Sequence, residues 1–166
     1  MAVEIERRFL VKGSEWKKHI EQKEEFKQGY LSTNFDQWIV RFRIIDNKKS
    51  FMTIKKSIGE MTSNEFEWDI PLKEAENIWN LISYKVIKKR YTVIINGLSW
   101  VVDCFEDKNS PLIIAEIELP STDINIVKPS WCTVEVTHMK ELSNAALSRF
   151  PLSRWKKENL VSLNLD

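Results

Sequence analysis

Apolar and polar residues alternate with a period of two along most of this chain, the signature of strands whose successive side chains point to opposite faces. Residues 3–11, 39–45, 51–55, 64–70, 86–95, 98–105, 112–119 and 133–137 read as strands, with a brief one at 30–32. The punctuation agrees with these limits. Lys12-Gly13 closes the first run, Asp46-Asn47-Lys48-Lys49 reads as a turn, a loop with Gly59 separates 51–55 from 64–70, and Pro120 ends 112–119. Asn96-Gly97 predicts a tight type I′ hairpin between 86–95 and 98–105, because both central residues of that turn need positive φ. Apolar spacing turns helical at 73–81, after Pro71, and a closing helix is expected at 143–149, before Pro151. A short helix capped by Ser14 is expected at 15–20, and the polar stretch up to Lys27 reads as an excursion. With no βαβ alternation, the fold class is α+β, mainly antiparallel β.

Composition narrows the function. A chain of 166 residues has the size of one domain, here spanning 1–166 with 151–166 as a C-terminal extension. With 43% hydrophobic residues and seven tryptophans it builds a sizeable core; Trp16, Trp79, Trp131 and Trp155 read as core or lid packing. The 25 Lys+Arg and 24 Asp+Glu leave a formal charge of +1, so no global field holds nucleic acid or an anionic membrane, and electrostatic function must be local. The longest uncharged stretch, 91–102, falls short of the ~20 residues of a membrane span. Residues 1–12 carry Glu4, Glu6, Arg7, Arg8 and Lys12 among their apolar positions and so lack the unbroken hydrophobic stretch of a secretion signal, and a cytoplasmic protein is expected. Cys104 and Cys132 form no CxxC pair and read as buried thiols, while His19 and His138 have no metal-ligand spacing.

The charges sort by face. Glu4, Glu6 and Arg8 lie two apart on one face of the first strand, opposite Ile5 and Phe9. Arg41 and Arg43, Glu65 and Glu67, Lys88 and Arg90, and Glu116 and Glu118 pair likewise, and Lys55, Asp103 and Glu135 add single charges. Alternation usually means a half-exposed sheet with one face to water. Against that stands the uniformity of the polar faces. Two carboxylates ~7 Å apart repel by roughly 2 kcal/mol at an effective dielectric of ~20, so several such pairs on one sheet call for interleaved counter-charges or bound ions. If the sheet closes into a barrel, these acids and bases line its interior. Such a lining suits a polyanion together with a hard divalent cation. No Ser/His/Asp or Cys/His constellation and no GxxxxGK[ST] loop competes.

At this point a resemblance enters. Glu4-Ile5-Glu6-Arg7-Arg8 resembles the ExExK signature of the CYTH superfamily, the triphosphate tunnel metalloenzymes. In order along the chain, Gly29-Tyr30-Leu31, Val40-Arg41-Phe42-Arg43, Thr53-Ile54-Lys55, Glu65-Phe66-Glu67, Lys88-Lys89-Arg90-Tyr91, Trp100-Val101-Val102-Asp103, Ala115-Glu116-Ile117-Glu118-Leu119 and Glu135-Val136-Thr137 are similar to further motifs. It covers about residues 1–150 and is nearest the compact bacterial branch. The resemblance implies a closed eight-stranded antiparallel barrel forming a tunnel, Mg²⁺ or Mn²⁺ as cofactor, and a small triphosphate substrate: tripolyphosphate, a nucleoside triphosphate or thiamine triphosphate. It implies metal binding by Glu4 and Glu6, with a third carboxylate from Glu116, Glu118 or Glu135, and a second acidic group of Glu65, Glu67 and Asp103. Arg8, Arg41, Arg43, Lys55, Lys88 and Arg90 would grip phosphates, with Glu4, Glu6, Arg8 and Lys88 as the catalytic set.

Two positions depart from the family pattern. Arg8 stands where the signature has lysine, exchanging a point charge for a planar fork, and Ser63 replaces an arginine found in many relatives. The leading expectation is metal-dependent hydrolysis of inorganic tripolyphosphate by a monomer or homodimer that binds neither DNA nor membrane. Cyclisation of ATP, and a non-catalytic triphosphate or polyphosphate sensor, are the alternatives; a lipocalin-like carrier is disfavoured by so charged an interior.

Overall fold

The computed structural model describes residues 2–32, 38–59 and 62–165. The strands are β1 (Ala2–Val11), β2 (Ile20–Ser32), β3 (Ile39–Ile45), β4 (Lys49–Ser57), β5 (Thr62–Asp69), β6 (Tyr84–Ile95), β7 (Leu98–Phe105), β8 (Ile113–Glu118) and β9 (Cys132–Glu135). Helix α1 (Leu72–Leu81) joins β5 to β6, and α2 (Asn144–Arg149) and α3 (Lys157–Ser162) follow β9.

Hydrogen bonding runs β5-β4-β3-β2-β6-β7-β8-β1, and β1 returns to β5 through Ala2↔Glu65 to Ile5↔Thr62. This closes an eight-stranded antiparallel barrel. The ten residues of β1 make closure possible, since one edge serves β8 through Glu6–Leu10 while the other pairs β5 first and the short β9 later. Both expected reversals are type I′: Asp46 and Asn47 sit at φ 52° each, Asn96 at 51° and Gly97 at 77°.

One expectation was wrong. The stretch up to Lys27 is no excursion but most of β2, a thirteen-residue strand between β3 and β6. Its inward positions carry Phe26, Gln28 and Tyr30, all buried, while exposed Lys23 and Glu25 and half-buried Lys27 face outward. The barrel's usual polarity is reversed there, which hides the alternation. Gly29, on the outer face, lets α1 close in: a Cβ there would stand 3.0 Å from Ile82 Cδ1. Ser14 makes no capping hydrogen bond, and the expected helix is a 3-10 turn, Glu15–His19, tied down by buried Trp16. Ser143 does cap α2, its Oγ accepting from the Ala146 N–H at 3.2 Å.

Two apolar clusters fix the polar space between them. The outer one packs Phe9, Trp16, Trp100 and Trp131 with Val102 and Ile117 against the outside of β1, β6, β7 and β8. Its rings meet edge-on or tilted, Trp100 lying 5.9 Å from both Phe9 and Trp131. The inner one, Leu10, Tyr30, Val86, Phe105 and Ile114 with Leu142, Ala145 and Leu147, fills one end of the barrel beneath α2. Leu152, in the C-terminal stretch, joins this cluster and is 2% exposed. The interior is therefore charged in one part and apolar in the other.

Candidate functional site

The charged part encloses a cavity of about 260 Å³. Strand parity places its walls: Glu4, Glu6 and Arg8 from β1, Arg41 and Arg43 from β3, Lys55 from β4, Glu65 from β5, Arg90 from β6 and Glu116 from β8. Thr137, Lys140, Ser143 and Asn144 close the α2 side. Nine of the fourteen side chains expected from the sequence thus meet in one place.

The other five lie elsewhere. Lys88 and Asp103 point inward but sit behind the wall, 1% and 0% exposed. Glu67 stands to one side, taking hydrogen bonds from Thr53 Oγ1 (2.8 Å) and Arg41 Nη2 (3.4 Å). Glu118 is exposed at the end of β8. Glu135 leaves the site altogether: its oxygens accept from Arg7 Nε (2.9 Å) and Nη2 (2.7 Å), on the outward face of β1. The reason is register, since β9 pairs Glu135 with Phe9, which faces out.

Carboxylates gather on the β1, β5 and β8 side. Lys55 Nζ bridges Glu4 (2.7 Å) and Glu65 (3.2 Å). Burial would raise Glu65, but Arg41 and Lys55 outweigh it and hold it below the usual carboxylate range. Glu6 moves the other way, pushed up by burial and then by the neighbouring charge of Glu116, against the pull of Lys55 and Arg8. Crowded carboxylates with one of them driven towards protonation are chemically suited to a cation. The donors are all hard oxygens, which fits Mg²⁺ or Mn²⁺ and excludes a thiolate metal. Among the described residues no three acidic, histidine or cysteine side chains stand as a ready coordination shell.

Cations gather opposite. Arg90 donates to both oxygens of Asp103 (2.8 and 2.7 Å) and to Glu116 (3.1 Å), while Lys88 Nζ reaches Asp103 Oδ2 at 2.5 Å and Asn144 Oδ1 at 3.0 Å. One buried carboxylate therefore serves two cations, buried Lys88 and half-buried Arg90. Despite burial, Arg90 and Lys88 hold Asp103 far down, and Asp103 in turn keeps Arg90 raised. For Lys88 burial wins, pulling it down to about 8. Arg43 is weakly compensated: its ion pair among the described residues is Glu67 at 3.8 Å, and its buried Nε has no partner there. Burial, then Arg41 and Arg90, lower Arg43 to about 9, still protonated at neutral pH.

Arg8 is used differently from the expectation. Its Nη1 donates to the Leu142 carbonyl (3.2 Å), and its Nη2 to those of Val136 (3.3 Å), Thr137 (3.4 Å) and Met139 (3.2 Å). Its own N–H donates to Thr137 Oγ1 at 3.0 Å. A guanidinium spread over four carbonyls is a clamp on the segment leading into α2. Lys140, within the clamped segment, and Asn144, the first residue of α2, were missed by sequence reasoning, since single polar residues at helix starts carry no period to mark them.

Comparison with known proteins places the chain among relatives along most of its length. The CYTH domain family matches residues 2–150. The inorganic triphosphatase of Acetivibrio thermocellus is 34% identical over 159 residues, covering 95% of this chain and all of that protein. A crystal structure of an inorganic triphosphatase superposes with a TM-score of 0.64 at 32% identity, over 89% of this chain and 95% of the other. A Bacillus halodurans structure described as a putative adenylate cyclase superposes with a TM-score of 0.57 at 14% identity, covering all of this chain and 93% of the other; that likeness concerns the fold alone. Barrel topology, the clustered acids and bases and the match over 2–150 lead to one assignment: the chain belongs to the CYTH domain family.

Proposed function

We propose that this protein is a metal-dependent hydrolase of inorganic tripolyphosphate. The observation that carries the reading is the cavity's charge: its wall carries Arg8, Arg41, Arg43, Lys55, Arg90 and Lys140 against Glu4, Glu6, Glu65 and Glu116, Asp103 and Glu67 beside it are shared among Lys88, Arg90 and Arg41, and the ion pair of Arg43 is a long one, Glu67 at 3.8 Å. A buried surplus of cations is costly without an anion, and arginine forks match phosphate oxygens. Lining favours the inorganic substrate. The walls of the cavity are mostly charged or hydroxyl-bearing, with Tyr30 their one aromatic ring among the described residues, which disfavours recognition of a base, and with it ATP cyclisation.

Triphosphatases of this family are metal-dependent. Glu4, Glu6 and Glu116 would hold the ion, which supplies charge neutralisation at phosphate oxygens and an activated water when bound. Arg41, Arg43 and Arg90 would bind and align the phosphate chain from the opposite wall, with Lys88 adding charge from behind. Lys55 would exchange its carboxylates for a phosphate oxygen. Phosphoryl transfer asks mainly for such positioning and neutralisation. Arg8 holds the α2 side of the cavity rather than phosphate in this reading. No helix of the described residues is long and apolar enough to cross a membrane, which is compatible with a cytoplasmic enzyme.

The test is phosphate release from tripolyphosphate with Mg²⁺, with Mn²⁺ or without metal, comparing wild type with Glu4→Ala and Glu6→Ala. Metal-dependent release lost by at least a hundredfold in both variants is expected. Equal, metal-independent rates in all three proteins would end the proposal.

A further inference from the structure

Phe26 sits midway along β2, 3% exposed, behind the wall of the cavity. Three cations from two other strands stand over its ring: Arg90 Cζ at 4.9 Å from the centroid, Arg43 Cζ at 5.1 Å and Lys88 Nζ at 5.9 Å. Register produces the cluster, because Phe26 lies opposite Lys88 on β6, and Gln28, the next inward residue, lies opposite Arg43 on β3.

Three like charges in one buried group repel one another and lose their hydration. Asp103 answers Lys88 and Arg90, and no carboxylate lies within 3.5 Å of Arg43 among the described ion pairs. A further acid at position 26 would satisfy the cations, but it would also cancel the field that attracts an anion. A phenyl face attracts cations through its quadrupole and carries no net charge. Because the ring lies behind the cations, an anion arriving from the cavity would not displace it.

We propose that Phe26 is a positioning residue of the triphosphate site, its ring holding Arg43, Lys88 and Arg90 in place while leaving their positive field available to phosphate. This rests on the triphosphate reading and deepens it. An ordinary core phenylalanine would contribute shape and apolar area only, so the discriminating change is one that keeps shape and weakens the quadrupole.

Ring-fluorinated phenylalanines with one, two and three fluorines, placed at position 26, make that change. Turnover of tripolyphosphate with metal gives KM and kcat, and calorimetry with tripolyphosphate and chelator gives Kd without turnover. The expected result is a stepwise rise in Kd and KM to about five- to thirtyfold for trifluorophenylalanine, the range that a loss of one or more cation–π contacts allows. The kcat should stay within about twofold, the mark of binding shared by ground and transition states, and Tm should fall by a few degrees, because the same contacts are already made in the ligand-free chain. A flat Kd across the series overturns the proposal, whether or not Tm falls, because a ring that serves the fold alone would move Tm and leave Kd in place. Failure of the triphosphatase reading itself looks different: wild-type protein would show no turnover, while the calorimetric series would still report on Phe26.

Discussion

Asp103→Asn separates the two roles that an inward acid can have in this barrel. As a metal ligand, Asp103 would matter only when metal is present; as the counter-ion of Lys88 and Arg90 it matters to the folded chain itself. The geometry favours the second role, since its oxygens take hydrogen bonds from Lys88 and from two nitrogens of Arg90 and are fully buried. Asparagine keeps the shape and removes the charge, leaving buried Lys88 without a carboxylate and Arg90 with Glu116 alone. Removing one partner of a buried pair costs about 3–5 kcal/mol, a large part of the roughly 5–15 kcal/mol that holds a domain together. For a chain of this size each kcal/mol moves Tm by about 2–4 °C, so Tm should fall by roughly 6–20 °C. The assay is thermal and urea unfolding with chelator, from pH 7 down to pH 2. Asp103 is held below its unfolded value of ~3.9, so its contribution is complete above that value and is lost as pH falls towards the folded one. The gap between wild type and variant should therefore narrow on acidification below about pH 4. Equal stability at pH 7 in chelator, with weakened metal binding, would refute the counter-ion argument and restore the metal-ligand expectation.

Lys88, lowered to about 8, should impose an alkaline limb on kcat/KM: activity falls as pH rises through about 8, and the limb is absent from the residual activity of Lys88→Met. Its linkage to stability has the opposite sense, because between that value and the unfolded ~10.4 the unfolded chain binds more protons, so the Lys88 contribution to stability grows with rising pH in wild type and not in the variant. Arg8→Met should cost about 3 kcal/mol in urea unfolding, two charge-assisted hydrogen bonds' worth of a four-carbonyl clamp, and should speed proteolysis within 136–150 ahead of the rest of the chain. Unchanged cleavage there would show that the clamp does not hold the segment.

Much of the barrel was legible because its chemistry is periodic. On β1, β3, β5 and β8 the inward residues are charged and the outward ones apolar, so parity alone separates lining from exterior core. Where this polarity inverts, as on β2, the same rule conceals a strand, and only pairing with β3 and β6 reveals it. Parity also fails for a short strand whose face is set by its partner: Glu135 lies between Val134 and Val136, and its pairing with Phe9 decides that it points outward. Depth along the barrel is a third quantity that parity does not carry. Asp103 and Glu116 both face inward, but one lies in the buried base of the site and the other on the cavity wall. Arg8 shows the limit most clearly, since its carbonyl partners come from residues 136–142, more than 120 positions away in the chain.

The charge arrangement explains why metal and phosphate should be needed together. On one wall, beside Glu4 and Glu116, burial and then the charge of Glu116 drive Glu6 towards protonation, and on the other Arg43 stands without close compensation. The two walls neutralise each other only in part: Arg90 pairs with Glu116 and Arg41 with Glu65, while Lys55 bridges Glu4 and Glu65 and Asp103 is committed to Lys88 and Arg90. A divalent cation alone would relieve the first wall and leave the second more positive still, while a polyphosphate alone would relieve the second and repel the first. Each ligand therefore lowers the electrostatic cost of the other, a positive coupling that must be reciprocal. In the proposed enzyme the affinity for tripolyphosphate should rise with metal by the same factor as the affinity for metal rises with tripolyphosphate. Fast exchange of Lys55 from Glu4 to phosphate would be the local event that links them.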